Sequence, residues 1–229
     1  MKKFISLLLA LAMCLSMCAC GGSEKGMTKE EMMEAASDFD FSAFKKAISS
    51  NEAKAKETYA GGIYHISAFV EEITDNKCTL TFFIDPNTSD YRYYVSAPFD
   101  KDTLLALNTG DRINLVGRVK TVKDRTITLD TAYYIDNTTE LSVKICSIMY
   151  ASASDALPKY STVIIQDFLD DQVVPYCNVY IDGEDLANLK EDDEIVVRGE
   201  LAVLGDDFNV YMYYDKYVGL EMKNASIVK

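Results

Sequence analysis

The sequence predicts a mostly β protein made of two tandem five-stranded barrels preceded by a short helical segment. From Ile63 onward apolar and polar residues alternate with the period of two that is typical of strands. The pattern of residues 59–137 recurs in residues 138–229 at an offset of 82 positions. Ahead of Ile63 the apolar spacing is that of helices, and residues 1–19 have the composition of an export signal.

The N-terminus has the layout of a cleaved signal. Lys2 and Lys3 precede an apolar run from Phe4 to Leu15, and small residues follow that run. The run is shorter than the ~20 residues that a helix needs to cross the hydrocarbon core of a bilayer. We therefore expect residues 1–19 to be removed as a signal peptide.

The end of this signal resembles the lipobox of bacterial lipoproteins, in residues Leu15–Cys20. Ala19 is the small residue that such a signal places directly before the modified cysteine, and the flexible pair Gly21-Gly22 follows it. The resemblance implies a lipid on Cys20 and localisation at the extracytoplasmic face of the cell membrane. An ordinary secretory signal with incidental cysteines is the alternative.

The net charge limits the possible partners. Loss of the two signal lysines changes the formal charge from −13 to −15. A surface this acidic repels the phosphate backbone of nucleic acids and anionic lipid headgroups. Nucleic acid is therefore disfavoured as a partner, and membrane attachment is expected to depend on the lipid at Cys20.

The inventory of reactive side chains is small. Beyond the signal the cysteines are Cys78, Cys146 and Cys177, which have no CxxC spacing. The sequence leaves open whether two of them form a disulfide. The single histidine is His65, and no GxSxG, phosphate-binding loop or dinucleotide-binding glycine pattern is present. We predict no catalytic residue, no metal site, no cofactor and no enzymatic activity, with an unrecognised carboxylate site as the alternative.

Residues 20–58 form the predicted tether and N-terminal helices. Thr28 and Glu31 have the spacing of a capping box at the start of a first helix. A second helical stretch is predicted from Asp40 to Tyr59. It places three apolar residues at helical spacing, namely Phe41, Phe44 and Ile48.

Five strand candidates and one short helix follow. The helix is predicted between the third and fourth strands. The strand candidates are Ile63–Ile73, Cys78–Asp85, Tyr91–Ala97, Arg112–Val122 and Thr126–Ile135, and the helix is Lys101–Asn108.

The same order recurs in the second half of the chain. One unbroken offset aligns Lys77 with Lys159, Asp85 with Asp167, Tyr94 with Tyr176, Leu104 with Leu186, Asp111 with Asp193 and Gly117 with Gly199. We therefore predict two copies of one unit, over residues 59–137 and 138–229.

Five strands with a helix between the third and the fourth is the order of the OB-fold. Gly117 and Gly199 lie in the middle of the fourth strand of each unit, where a barrel strand must bend. The segments Leu107–Asp111 and Ile113–Gly117 resemble the tRNA-anti-like OB-fold family. So does the N-terminal part of the unit, Asn51–Tyr59, Gly61-Gly62 and Val70–Ile73.

This resemblance covers residues 40–136 and implies a fold with a ligand-binding face. The second unit departs from it, since it lacks the preceding helix and has Asp192 at the position of Gly110. Its assignment therefore rests on the internal repeat.

The candidate ligand-binding residues lie in the first unit. OB-folds bind ligands on the face of their second and third strands, between two flanking loops. Aromatic and cationic side chains are found there together, so that a ligand could both stack on a ring and accept hydrogen bonds from a cation. They are Arg92, Tyr93 and Tyr94 on the third strand and Lys120, Lys123 and Arg125 on and after the fourth. Alternation separates Tyr93 from Tyr94 but leaves open which of the two faces the cleft.

The function predicted from these features is that of a lipid-anchored extracytoplasmic binding or interaction module. Its ligand would be an envelope protein, a peptide or a glycan. Capture of single-stranded nucleic acid through the first unit is the alternative, because that unit has a basic edge. The edge comprises Arg112, Arg118, Lys120, Lys123 and Arg125.

Overall fold

Two five-stranded β-barrels follow three short helices in the computed structural model. The structure describes residues 26–82, 93–149, 160–169, 172–182, 185, 188–203 and 220–228. The signal and the lipid-acceptor residue Cys20 lie outside the described residues, as does Arg92.

The first helix, α1 (Lys29–Ala35), begins with the capping box that the sequence predicts. The Glu31 amide donates to the Thr28 hydroxyl at 3.2 Å, and the Thr28 amide donates to the Glu31 carboxylate at 2.8 Å. Two backbone donors at the helix start are thereby satisfied. A two-residue strand, β1 (Ser37–Asp38), follows and was not apparent from the sequence.

The second predicted helix is in fact two helices, α2 (Phe41–Ser50) and α3 (Glu52–Tyr59). Asn51 separates them with an extended backbone (φ −167°, ψ 101°). Its side-chain oxygen accepts from the Lys54 amide at 3.1 Å, so Asn51 acts as the N-cap of α3. The sequence prediction of one continuous helix was wrong at this point, because asparagine favours a cap over a helix interior.

The first barrel has the strand order of an OB-fold. Its elements are β2 (Ile63–Thr74), β3 (Lys77–Thr81), β4 (Tyr94–Ala97), helix α4 (Lys101–Ala106), β5 (Arg112–Lys123) and β6 (Thr126–Asp136). Neighbouring strands run antiparallel except for the parallel pair β4–β6. The pairing of β5 with β2 returns the sheet to its first strand.

The core of the first barrel extends into the helices. Phe44 is 0% exposed and Tyr59 is 9% exposed, and both pack with inward-facing barrel residues such as Leu80, Val95 and Ile127. The helices thus bury their apolar face against the barrel, which stabilises helices too short to be stable alone.

The second barrel repeats the same topology. Its strands are β7 (Thr138–Met149), β8 (Tyr160–Leu169), β9 (Gln172–Asp182), β10 (Glu194–Val203) and β11 (Leu220–Ile227). They pair in the closed order β10-β11-β9-β8-β7, with one parallel pair, β9–β11. The predicted fold class of two tandem OB-fold-like barrels is confirmed.

The glycines in the fourth strand of each barrel are equivalent. Gly117 is the sixth residue of β5, and Gly199 is the sixth residue of β10. A Cβ atom on Gly117 would lie 2.5 Å from the Leu129 Cδ1, and one on Gly199 would lie 2.7 Å from the Lys223 carbonyl oxygen. At Gly199 the close approach of neighbouring backbone excludes a side chain, whereas at Gly117 the nearest obstacle is the end of the Leu129 side chain.

The two barrels are joined through the start of β5. The Val203 amide at the end of β10 donates to the Gly110 carbonyl at 3.0 Å. Phe69 of β2 is 2% exposed and packs with the core of the second barrel. Arg112 is 6% exposed, its Nε donates to the Ser67 hydroxyl at 3.0 Å, and its guanidinium lies 5.7 Å from the centre of the Phe69 ring. Arg112 is thus part of the joint between the barrels.

Candidate ligand-binding face

The outer surface of the first barrel carries side-chain hydroxyls in two rows that cross strands β3, β4 and β6. Strand pairing places the members of each row side by side. The first row is Thr81, Tyr94 and Thr126; the second row is Thr79, Ser96 and Thr128. We call these six residues the hydroxyl face.

The rows follow from alternation along the strands. Leu80, Val95 and Ile127 lie between the hydroxyl-bearing residues in sequence and are each 0% exposed in the barrel core. Because successive side chains of a strand point to opposite sides, the intervening residues face outward. Threonine and tyrosine also favour strands, so composition and position agree.

Five of the six residues are partly exposed, and the sixth is buried. Thr81 is 0% exposed, and its hydroxyl donates to the Tyr93 carbonyl at 3.4 Å. The others retain side-chain surface for a ligand: Thr79, Tyr94, Ser96, Thr126 and Thr128.

Each row continues onto the flanking strands. In the first row Thr126 pairs with Lys123 of β5, and Thr81 pairs with Phe69 of β2, which packs against the second barrel. In the second row Thr128 pairs with Thr121 of β5. The first row therefore runs from the second barrel to an exposed lysine.

The turn between β5 and β6 borders the face at its cationic end. Asp124 and Arg125 both have positive φ, 49° and 62°, as the two central residues of a type I′ hairpin turn do. The Asp124 amide donates to the Glu52 carboxylate of α3 at 3.1 Å. The turn is therefore held against the N-terminal helices.

The structure separates the predicted ligand contacts. Tyr93 is 5% exposed, and its ring makes edge contacts with Phe41 at 5.5 Å and Phe44 at 6.0 Å between centroids. Tyr93 is thus a packing residue between the helices and the barrel. Arg125 places its guanidinium 6.0 Å from the centre of the Tyr93 ring. Of the two tyrosines, Tyr94 is the one on the outer face.

The two predicted lysines are both exposed. Lys123 lies in the same row as Tyr94, two strands away, which corresponds to about 10 Å between backbones. Lys120 lies at an irregularity in the pairing of β5 with β6. Arg92 lies outside the described residues, so its placement stays a prediction.

The basic edge predicted from the sequence is weaker than its composition indicates. Arg112 is buried at the joint, and Arg118 Nε lies 2.8 Å from the Asp130 carboxylate. Lys123 Nζ is 3.7 Å from the Asp124 carboxylate, with both side chains largely exposed. Exposed pairs of this kind are held weakly, so Lys120 and Lys123 remain available as cations.

Sequence reasoning did not identify the hydroxyl face, although a signal was present. Thr79-Leu-Thr81 and Thr126-Ile-Thr128-Leu129 both alternate threonine with an apolar residue. This alternation indicates a strand with a hydroxyl-bearing outer side. The pairing that brings the two segments together across β4 could not be read from either segment alone.

Comparison with known proteins gives distant structural similarity only. No protein-family model matches the chain, and no curated protein matches it. One similar structure is a lipoprotein from Klebsiella pneumoniae subsp. pneumoniae MGH 78578 whose name proposes nucleic-acid binding; it has 18% identity and a TM-score of 0.38, over 48% of this chain and 100% of the other.

A second similar structure is the wild-type single-stranded DNA binding protein from Thermus aquaticus, with 10% identity and a TM-score of 0.29, over 73% of this chain and 92% of the other. Similarity at this level does not indicate a function, and the fold is assigned from the strand pairing within this chain. In the part of the chain that the structure describes, no helix is both long and apolar enough to span a membrane.

Proposed function

We propose that the protein is a binding module whose first barrel holds a neutral glycan chain on the hydroxyl face. The observation that carries this proposal is the alignment of hydroxyl-bearing residues in two adjacent rows. A row spaced by about 4.8 Å per strand presents repeated polar groups to an extended ligand.

The chemistry of the face favours a hydroxyl-rich ligand. A serine, threonine or tyrosine hydroxyl both donates and accepts hydrogen bonds, as the hydroxyl groups of a sugar do. Tyr94 adds an aromatic ring on the same face, with an apolar surface on which a sugar ring can pack. Phosphate is charged, and its strong hydrogen bonds are those from cationic donors, of which this face has few.

The charge distribution also favours a neutral ligand. From Thr138 onward the sequence has 7 basic and 17 acidic residues, and the second barrel borders the first row at Phe69. A polyanion on the face would lie next to this negative charge and would be repelled. A neutral chain is not subject to that repulsion.

Single-stranded nucleic acid is the second candidate, favoured by Lys120 and Lys123 at the exposed end of the face. Tyr94 could then stack on a base. Binding of this kind depends steeply on salt concentration, because phosphate contacts release counterions. A neutral glycan would show little salt dependence, and this difference separates the two candidates.

The lipid on Cys20 would present the barrels at the outer side of the cell membrane. The support for this part of the proposal is the signal sequence with Ala19 and Cys20 at its end. A single covalent lipid attachment keeps the binding face near the envelope, where glycan chains are abundant.

The test is calorimetric titration of the full chain in detergent at low and moderate salt. The probes are dextran, laminarin and a chitooligosaccharide as neutral glycans, with oligothymidylate as the polyanion. We expect at least one glycan to bind, with an affinity that changes less than about twofold between ~50 and ~200 mM salt. Binding of oligothymidylate alone, weakened by salt, would overturn the glycan proposal in favour of the second candidate.

A further inference from the structure

A cavity of about 480 Å³ lies where the N-terminal segment crosses the first barrel, apart from the hydroxyl face. Its volume is within the range of small-molecule sites, about 300–1,000 Å³. Its walls combine aromatic rings with polar side chains. The lining includes Asp38, Phe39, Phe41, His65, Phe82, Asn114 and Asp136.

The aromatic wall is assembled from two distant segments. Strand β1 pairs in parallel with β2, so that Asp38 lies beside His65, and the Phe39 amide donates to the His65 carbonyl at 3.0 Å. The ring of Phe39 lies nearly parallel to that of Phe82, at 5.1 Å and 15°. The ring of Phe41 is also nearly parallel to Phe82, at 4.7 Å and 20°. The three rings therefore form a supported aromatic surface.

The polar lining contains the carboxylates of Asp38 and Asp136 together with Asn114, His65 and Ser67. The side-chain amide of Asn114 uses both its hydrogens within the protein, on the Asp136 carboxylate at 2.7 Å and on the Thr138 carbonyl at 2.7 Å. Its remaining capacity is that of an acceptor. The Asp38 carboxylate, which is exposed at the cavity, adds a second negative group. Among the described residues that line the cavity there is no lysine or arginine.

We infer that this cavity binds a small organic cation, an ammonium group joined to an apolar body. The carboxylates and the aromatic rings that line the cavity both attract a positive charge. The apolar body of the ligand would replace water against Phe39 and Phe41, whose rings are supported from the core by Phe82. A carboxylate ligand would meet like charge at Asp38 and Asp136, and would be excluded.

The test uses three probes that share one apolar body, 4-phenylbutylammonium, 4-phenylbutan-1-ol and 4-phenylbutyrate. They are titrated by calorimetry into the full chain in detergent. The expected order is ammonium first, the alcohol about tenfold weaker, and no binding of the carboxylate. Equal affinity for the ammonium and the alcohol, or binding of neither, would overturn the inference.

Two variants and two controls test the named residues. Asp38→Asn should weaken ammonium binding about threefold to fivefold, as expected for a partly solvated ion pair. Asp38→Asn combined with Asp136→Asn should weaken it further, while the new amide at 136 keeps an acceptor for Asn114. The matched control is Asp75→Asn, an exposed carboxylate in the β2–β3 turn that does not line the cavity.

Asp75→Asn and the hydroxyl-face variant Tyr94→Ala should both leave ammonium affinity unchanged. If Asp38→Asn has no larger effect than Asp75→Asn, the carboxylate wall does not bind the cation and the inference is wrong. Because Tyr94 belongs to the hydroxyl face and does not line the cavity, the outcome of the ammonium titrations does not depend on the proposed glycan function.

Discussion

Gly110 and Asp192 occupy the same turn in the two barrels, each with positive φ, 94° for Gly110 and 70° for Asp192. The Gly110 amide donates to the Val70 carbonyl at 2.8 Å, and the Asp192 amide donates to the Ile145 carbonyl at 2.8 Å. The next residue closes each turn with its carboxylate, Asp111 on the Asn108 amide at 3.2 Å and Asp193 on the Lys190 amide at 2.8 Å. The departure from glycine at position 192 thus preserves the turn.

The first prediction concerns Gly110→Ala. A Cβ atom at this position would meet nothing closer than 3.7 Å, so the cost arises from the positive φ alone. We expect the free energy of unfolding to fall by about 1–2 kcal/mol. The control is Gly26→Ala, where φ is ordinary and no atom lies within 4 Å. Urea unfolding of both variants tests this, and equal stability of the two would contradict it.

The second prediction compares Gly117→Ala with Gly199→Ala. The nearest obstacle at 117 is the end of the flexible Leu129 side chain, whereas at 199 it is the backbone carbonyl of Lys223 at 2.7 Å. Both should lose about 1–3 kcal/mol, with the larger loss at 199 because backbone moves less readily. Thermal unfolding gives the order, and a loss at 117 equal to or larger than the loss at 199 would contradict this prediction.

The third prediction concerns Cys78, which is 0% exposed. Burial raises the pKa of its thiol to about 12. At pH 8 only about one thiol in ten thousand would be the reactive thiolate. We expect the Cys78 peptide to stay unmodified by iodoacetamide in the native protein and to react in urea. Mass spectrometry of that peptide is the measurement, and rapid native labelling would show that the barrel core is open.

The fourth prediction tests the lipid anchor. Cys20→Ala removes the thiol that would carry the lipid, so the variant should move from the membrane fraction to the medium. Fractionation with immunodetection measures the distribution, and intact mass of the wild type should show the added acyl chains. A variant that stays in the membrane fraction, together with a wild type of unmodified mass, would refute the anchor.

Strand positions were predictable because alternation is a local property. The predicted strand Arg112–Val122 differs from the observed Arg112–Lys123 by one residue. The start of β1 at Ser37 was not predictable in the same way. Two residues carry no periodicity, and the strand exists only because it pairs with Tyr64 and His65.

The roles of Tyr93 and Tyr94 show where sequence reasoning ends. Alternation separated the two side chains onto opposite faces but could not say which face was covered. That depends on Phe41 and Phe44, which lie some fifty residues earlier in the chain and pack on Tyr93. Likewise Arg112 is buried because the second barrel packs beside it, and the sequence of its own strand gives no sign of that contact.

Binding of the ligand by the hydroxyl face of the first barrel is tested by one matched pair of variants. Tyr94→Ala removes the ring from the face, and Tyr180→Ala removes a partly exposed tyrosine from β9 of the second barrel. Calorimetry with the best-binding neutral glycan should show a loss of about tenfold for Tyr94→Ala and less than about twofold for Tyr180→Ala, with unfolding temperatures confirming that both variants are folded. Unchanged affinity in Tyr94→Ala, or an equal loss in Tyr180→Ala, would contradict the assignment of this face.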